Sequence, residues 1–206
     1  AQHREMLDQV LAFFEIVPDY DLNLMKPNQN LYGLTADIIT NLKPILEEFN
    51  PDYIYVHGDT TTTMASSIAA FYSGAKVCHV EAGLRTFNMR SPFPEEMNRR
   101  VAGVIADYHF SPTLTSYNNL IKENVSKENI VITGNTVIDA LLFSSEKLKR
   151  LEYKDIEIEA LKDDLDFEKK IILVTGHRRE NHGQGFINIC KALQETAIQH
   201  PEVQIV

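Results

Sequence analysis

Asp52-Tyr-Ile-Tyr-Val-His57-Gly58-Asp59-Thr60, and after it Ala75-Lys-Val-Cys-His-Val80-Glu81-Ala-Gly83, decide how this chain folds. Each is a short β-branched run that breaks off at small or acidic residues. Between them, 61–72 reads as a helix opened by threonines, which favour the position before a helix start. The pattern then repeats. A helix is expected over 94–105, with proline suited to its first turn. A strand follows over 108–110, a helix over 113–123, a strand over 129–133, and a helix from 137 to 149. Strands alternating with helices of this length signify βαβ units and a parallel sheet. Ile54, Val56, Val77, Val80, Ile130 and Ile132 are the expected strand cores, with helices covering both faces.

Working outward, 148–170 is rich in charge and poor in strand formers, and reads as a partly helical linker. A new strand is expected over 170–175, a helix over 186–200 and a further strand from 203. The expected division is therefore an N-terminal domain over 1–148, a linker over 149–169, and the beginning of a second domain over 170–206. The chain opens directly into a helix, and both ends read as cut.

Composition narrows the functional classes. With 44% hydrophobic and 24% charged residues, the 206-residue chain has ample material for a core. Its 29 Asp+Glu outweigh 20 Lys+Arg for a net charge of −9, against a surface that tracks nucleic-acid phosphates. Cys78 and Cys190 are far apart and read as reduced thiols. No metal-ligand spacing such as C-x-x-C and no G-x-G-x-x-G fingerprint occurs, so the residues point to no metal or nicotinamide cofactor. No apolar run is long enough for a membrane span, and a cytoplasmic protein is expected.

Ligands of open parallel sheets sit beyond the carboxyl ends of the strands. That rule alone gathers Asp59, Glu81, Asn135 and His177, each directly after an expected strand. Glu95, Glu96 and Arg99 join them from the following helix start. Several carboxylates beside an arginine suit acid–base chemistry near an anion. Gly176-His177-Arg178-Arg179-Glu180-Asn181 links a strand to a helix, where backbone amides and Arg178 suit a phosphate. Structural roles stand beside these. Asp59 before its threonines is also placed to cap a helix, Glu95 and Glu96 favour a helix dipole, and Arg99 suits a salt bridge. His57, His79 and His109 fall within strands and read as packing histidines.

Taken in order, six motifs carry a family resemblance: His57-Gly-Asp-Thr-Thr-Thr-Thr63, His79-Val-Glu-Ala-Gly-Leu-Arg85, Ser91-Pro-Phe-Pro-Glu-Glu-Met-Asn-Arg99, His109-Phe-Ser-Pro112, Ile132-Thr-Gly-Asn-Thr-Val-Ile-Asp-Ala140 and Thr175-Gly-His-Arg-Arg-Glu-Asn181. Together they resemble the bacterial non-hydrolysing UDP-N-acetylglucosamine 2-epimerases over essentially the whole chain. The resemblance implies a glycosyltransferase-B-like architecture of two Rossmann-like domains, the first lacking its first strand here and the second only begun. It also implies a homodimer at full length, no cofactor, and interconversion of UDP-N-acetylglucosamine and UDP-N-acetylmannosamine for surface polysaccharide. By the same resemblance Asp59, Glu81, Glu95 and His177 are catalytic. Arg99, Arg85, Asn135 and Arg178 contact substrate, and Gln2 and Gln29 match an activator site. Glu5 and Asn28 depart from that site. The expected nucleotide-facing strand and loop, and most of the second domain, are not in these 206 residues, which alone are expected to be inactive. A glycosyltransferase of the same fold, a hydrolysing epimerase and a catalytically silent nucleotide-sugar sensor are the competing readings.

Overall fold

The computed structural model describes residues 4–26, 29–150, 152–176 and 183–206. Two compact units divide the chain, Ala1–Ala140 and Leu141–Val206. In the first unit, helices α1 (Arg4–Phe13) and α2 (Leu31–Phe49) precede an alternation of β1 (Tyr53–His57), α3 (Thr61–Ser73), β2 (Lys76–Val80), α4 (Glu95–Ile105), β3 (Tyr108–Ser111), α5 (Leu114–Lys122) and β4 (Ile130–Ile132). Helix α6 (Thr136–Leu148) runs across the division. The second unit adds α7 (Ile156–Asp164), β5 (Lys170–Ile172), α8 (Gln184–Gln199) and β6 (Val203–Ile205).

The first sheet has the order β1-β2-β3-β4, every neighbouring pair parallel. β1 pairs with β2 from Tyr53 opposite Lys76 to His57 opposite Val80. Because all four strands run the same way, their carboxyl ends share one edge. The second unit holds a parallel β5–β6 pair joined through α8. The expected α/β class with parallel sheets is therefore present in both units.

Local chemistry sets the helix ends. Thr60 Oγ1 accepts the Thr63 amide at 3.2 Å to start α3, and Gly74 ends it in a left-handed turn. Asp155 accepts the amides of Glu157 and Ile158 to start α7 within the segment read as a linker. α2 is new relative to the sequence reading. It contains Gly33 and Pro44, two poor helix formers, and proline inside a helix removes one backbone hydrogen bond. The helix persists because Asn30 caps it, Ile38 and Leu46 are buried, and it packs along α3.

Val56, Ala70 and Val77 form one core cluster beneath α3, and Ala82, Leu120 and Ile130 form a second. Helices on both faces were expected. Instead, Tyr55 on the opposite face of β1 is 67% exposed and Val131, on that same face of β4, is 50% exposed. Alternation explains this: Val56 points to α3, so Tyr53 and Tyr55 point away, where Tyr55 stacks on Phe110 at 6.0 Å. Among the described residues, no helix is long and apolar enough to cross a membrane.

His79 and His109 are buried packing residues, as expected. Burial holds both rings below the ordinary histidine pKa, and His109, pushed further by neighbouring His79, falls to about 4. A folded pKa below the unfolded value means the native state binds fewer protons. That contribution to stability is complete above the unfolded pKa and is lost as pH falls from about 6.5 toward 4. Denaturant unfolding of the full-length protein should therefore show stability falling over this window by about 1.4 kcal/mol per pH unit for each such proton. His109→Gln should flatten that slope.

Candidate active site

β1 ends at His57, and the chain turns through Gly58 and Asp59 before α3 begins at Thr61. Three buried or half-buried groups fix this turn. The His79 imidazole donates to the Gly58 carbonyl at 2.8 Å, since a carbonyl only accepts. Asn98 of α4, fully buried, donates its amide to the Asp59 carbonyl at 2.9 Å. Thr63 Oγ1 donates to the His57 carbonyl. Since Thr60 caps α3, the Asp59 side chain is left free of that role. Its carboxylate, about one-third exposed, pairs with Arg99 Nη2.

Arg99 also reaches Glu96 Oε2 at 3.3 Å. Glu96 is fully buried, and its carboxylate accepts the amides of Thr86 and Phe87 at 3.0 and 3.2 Å. It thereby anchors the loop after β2 onto α4 and completes an Asp59–Arg99–Glu96 chain. Glu95, one residue earlier, is half-buried and has no hydrogen-bond or ion-pair partner among the described residues. An open hollow of about 580 Å³, lined by Met89, Arg90, Phe93 and Met97, brackets Glu95 along the sequence.

Glu81 follows β2 in the left-handed region, with φ of 66°. A Cβ on Gly58 would lie 3.3 Å from Glu81 Oε2, so the carboxylate rests over a residue that has no side chain. His57 Nε2 stands 3.7 Å from the same oxygen. The His57 side chain is 61% exposed, a correction to its reading as a packing residue. As the last residue of β1 it points, like Tyr53 and Tyr55, away from α3.

The structure thus brings Asp59, Glu81 and Arg99 together at one edge of the sheet, with Glu95 at the start of the helix that carries Arg99. Arg85 is placed differently. Its side chain is fully buried, donating to Glu123 at 2.8 and 2.7 Å and to the Leu84 carbonyl at 2.8 Å. Asn135 accepts the Val137 amide at 3.0 Å, an interaction that shapes the start of α6. Gln29 donates to the Leu24 carbonyl at 3.0 Å, in the segment leading into α2. His177, Arg178 and Gln2 lie outside the described residues. Among the described residues, no group of three or more His, Cys, Asp or Glu is disposed to hold a metal ion.

Sequence reasoning missed His57, Asn98 and the anchoring role of Glu96. The spacing of Glu96 and Arg99, three residues apart on one helix face, was an available signal for the last. For Asn98 no local signal existed, because its partner lies 39 residues away.

The family model described as UDP-N-acetylglucosamine 2-epimerase matches residues 1–206. The chain is 57% identical over 206 residues to the UDP-N-acetylglucosamine 2-epimerase of Escherichia coli K12, covering all of this chain and 55% of that protein. The crystal structure of the Neisseria meningitidis UDP-GlcNAc 2-epimerase bound to UDP-GlcNAc is similar at a TM-score of 0.92 and 53% identity, over 100% of this chain and 55% of that one. A Staphylococcus aureus protein, MnaA, in a structure with UDP, is similar at a TM-score of 0.85 and 44% identity, over 100% and 52% of the two chains. The chain therefore spans about half the length of the relatives it matches.

Proposed function

Since the chain belongs to the UDP-N-acetylglucosamine 2-epimerase family, we propose that the protein carrying it interconverts UDP-N-acetylglucosamine and UDP-N-acetylmannosamine. The C2 hydrogen of the sugar is not next to a carbonyl, so direct removal is unfavourable. Elimination solves this. A base takes the C2 proton, the C1–O bond to UDP breaks with its electron pair leaving on UDP, and a C1–C2 double bond forms, giving 2-acetamidoglucal. Re-addition of UDP at C1, with a proton delivered to the opposite face of C2, yields the epimer.

The observation that carries this reading is the meeting of carboxylates from separate strand ends beside one arginine. Asp59 is engaged by Arg99. Glu81 and Glu95 have no lysine or arginine partner among the described residues, which makes them the carboxyls available to exchange protons at C2. Arg99, His177 and Arg178 are proposed to meet the diphosphate, whose departure needs positive charge. Asn135 is proposed as a sugar or nucleotide contact, and Gln2 with Gln29 as part of an activator site. We place the enzyme in the cytoplasm, as a homodimer, supplying precursors for surface polysaccharide.

Incubating the full-length protein with UDP-N-acetylglucosamine in D2O tests the reaction. Deuterium should enter C2 of both epimers with no acceptor present, followed by mass spectrometry or NMR. Sugar transfer to an acceptor without exchange would instead indicate a glycosyltransferase. Accumulation of free N-acetylmannosamine would indicate a hydrolysing enzyme, and binding without turnover a sensor.

A further inference from the structure

We propose that His57 is a positioning residue of this site, whose imidazole holds the Glu81 carboxylate in the notch above Gly58. The inference rests on Glu81 being one of the reacting carboxyls. The notch itself is rigid. Gly58 donates its amide to the Val80 carbonyl at 3.0 Å, and His79 holds the Gly58 carbonyl from the buried side. Thr63 fixes the His57 carbonyl. With the backbone held on three sides, the exposed His57 ring is the side chain that reaches over the notch to Glu81.

That ring is the partner in ion-pair range of the Glu81 carboxylate among the described residues. At 3.7 Å the contact is longer than a hydrogen bond, and a small turn of the exposed imidazole brings Nε2 into hydrogen-bond range of the carboxylate. The surrounding charges explain why the pairing is selective. Asp59, the other acid on the β1 turn, is taken by Arg99 of α4. His79 of β2 is directed to Gly58 and is held in its neutral state by burial. Arg85 is committed to Glu123 of α5. Among the described residues around the notch, His57 is the group left for Glu81. A left-handed backbone at Glu81 sets the direction of its side chain, and the imidazole limits how far the carboxylate swings from it.

Steady-state epimerisation by full-length variants tests this. His57→Ala should lower kcat about 10- to 100-fold while KM for UDP-N-acetylglucosamine changes less than about threefold, the pattern of an orienting effect expressed in the transition state. His57→Gln, which keeps the bulk, should show a smaller loss in the same direction and serves if the alanine variant does not fold. In a Glu81→Gln background, followed by slow deuterium entry at C2, His57→Ala should cost less than about threefold more, because it acts through Glu81. An unchanged kcat in both single variants overturns the proposal. So does a full multiplicative loss in the Glu81→Gln background. If the parent enzyme exchanges C2 hydrogen and Glu81→Gln does so equally fast, the assignment of Glu81 fails and His57 falls with it, while the reaction itself stands.

Discussion

Glu81→Gln in the full-length protein should lower kcat for epimerisation by about 10²–10⁴-fold, with KM for UDP-N-acetylglucosamine within a few-fold of the parent. The substitution keeps shape and removes the ability to accept and return a proton. Its cost to stability should be small, because the Glu81 carboxylate accepts no hydrogen bond from the described residues and rests over Gly58 with about one-third of its surface open. Glu96→Gln provides the contrast. There each oxygen of a fully buried carboxylate accepts a backbone amide, and losing the charge weakens the loop after β2 and the grip on Arg99 together. Steady-state rates with far-UV circular dichroism separate the two behaviours. A Glu81→Gln enzyme within about threefold of the parent kcat would remove Glu81 from the chemistry.

The alternation of strands and helices was legible because each strand ends on residues that cannot continue it. Gly58 and Glu81 both have positive φ, and both stand where the sequence shows a strand giving way. The position of Asp59 at the sheet edge was legible for the same reason. Whether Asp59 capped a helix was not, since Thr60 beside it is equally fit, and the backbone alone decides which oxygen meets the Thr63 amide. α2 escaped notice because Gly33 and Pro44 are strong local breakers, overridden by packing on α3. His57 was misread for a different reason. Period-two alternation says that His57 and Val56 face opposite ways, but not which face is covered. His79, one residue before the end of β2, and His109 in β3 show the opposite outcome with the same residue type. Long-range pairings such as Asn98 with Asp59 and Arg85 with Glu123 leave no trace in spacing at all.

Arg85→Ala should destabilise the full-length protein by about 2–3 kcal/mol, because it removes a buried guanidinium and leaves the half-buried Glu123 carboxylate without its partner. The guanidinium is wholly enclosed and makes two parallel hydrogen bonds to Glu123, with a third to the Leu84 carbonyl. It also lies against α4, where a Cβ on Gly103 would come within 3.2 Å of Arg85 Nη2. Glu123 is the C-cap of α5, so the pair staples the loop after Glu81 to both helices. Hydrogen bonding to Arg85 holds the Glu123 carboxyl below its ordinary pKa. A depressed folded pKa gives stability that is present above the unfolded value and lost as pH falls through the folded one. Denaturant midpoints measured from neutral pH down to about 3 should therefore converge for parent and Arg85→Ala at the acid end, after allowance for the shared histidine slope. The double replacement Arg85→Met with Glu123→Leu decides what the pair is for. Apolar packing of similar volume should recover most of the lost stability. If the paired variant then epimerises at nearly the parental rate, Arg85 serves the fold. If it is stable and its KM for UDP-N-acetylglucosamine rises about tenfold or more, the arginine leaves Glu123 to meet substrate, as the family resemblance implies.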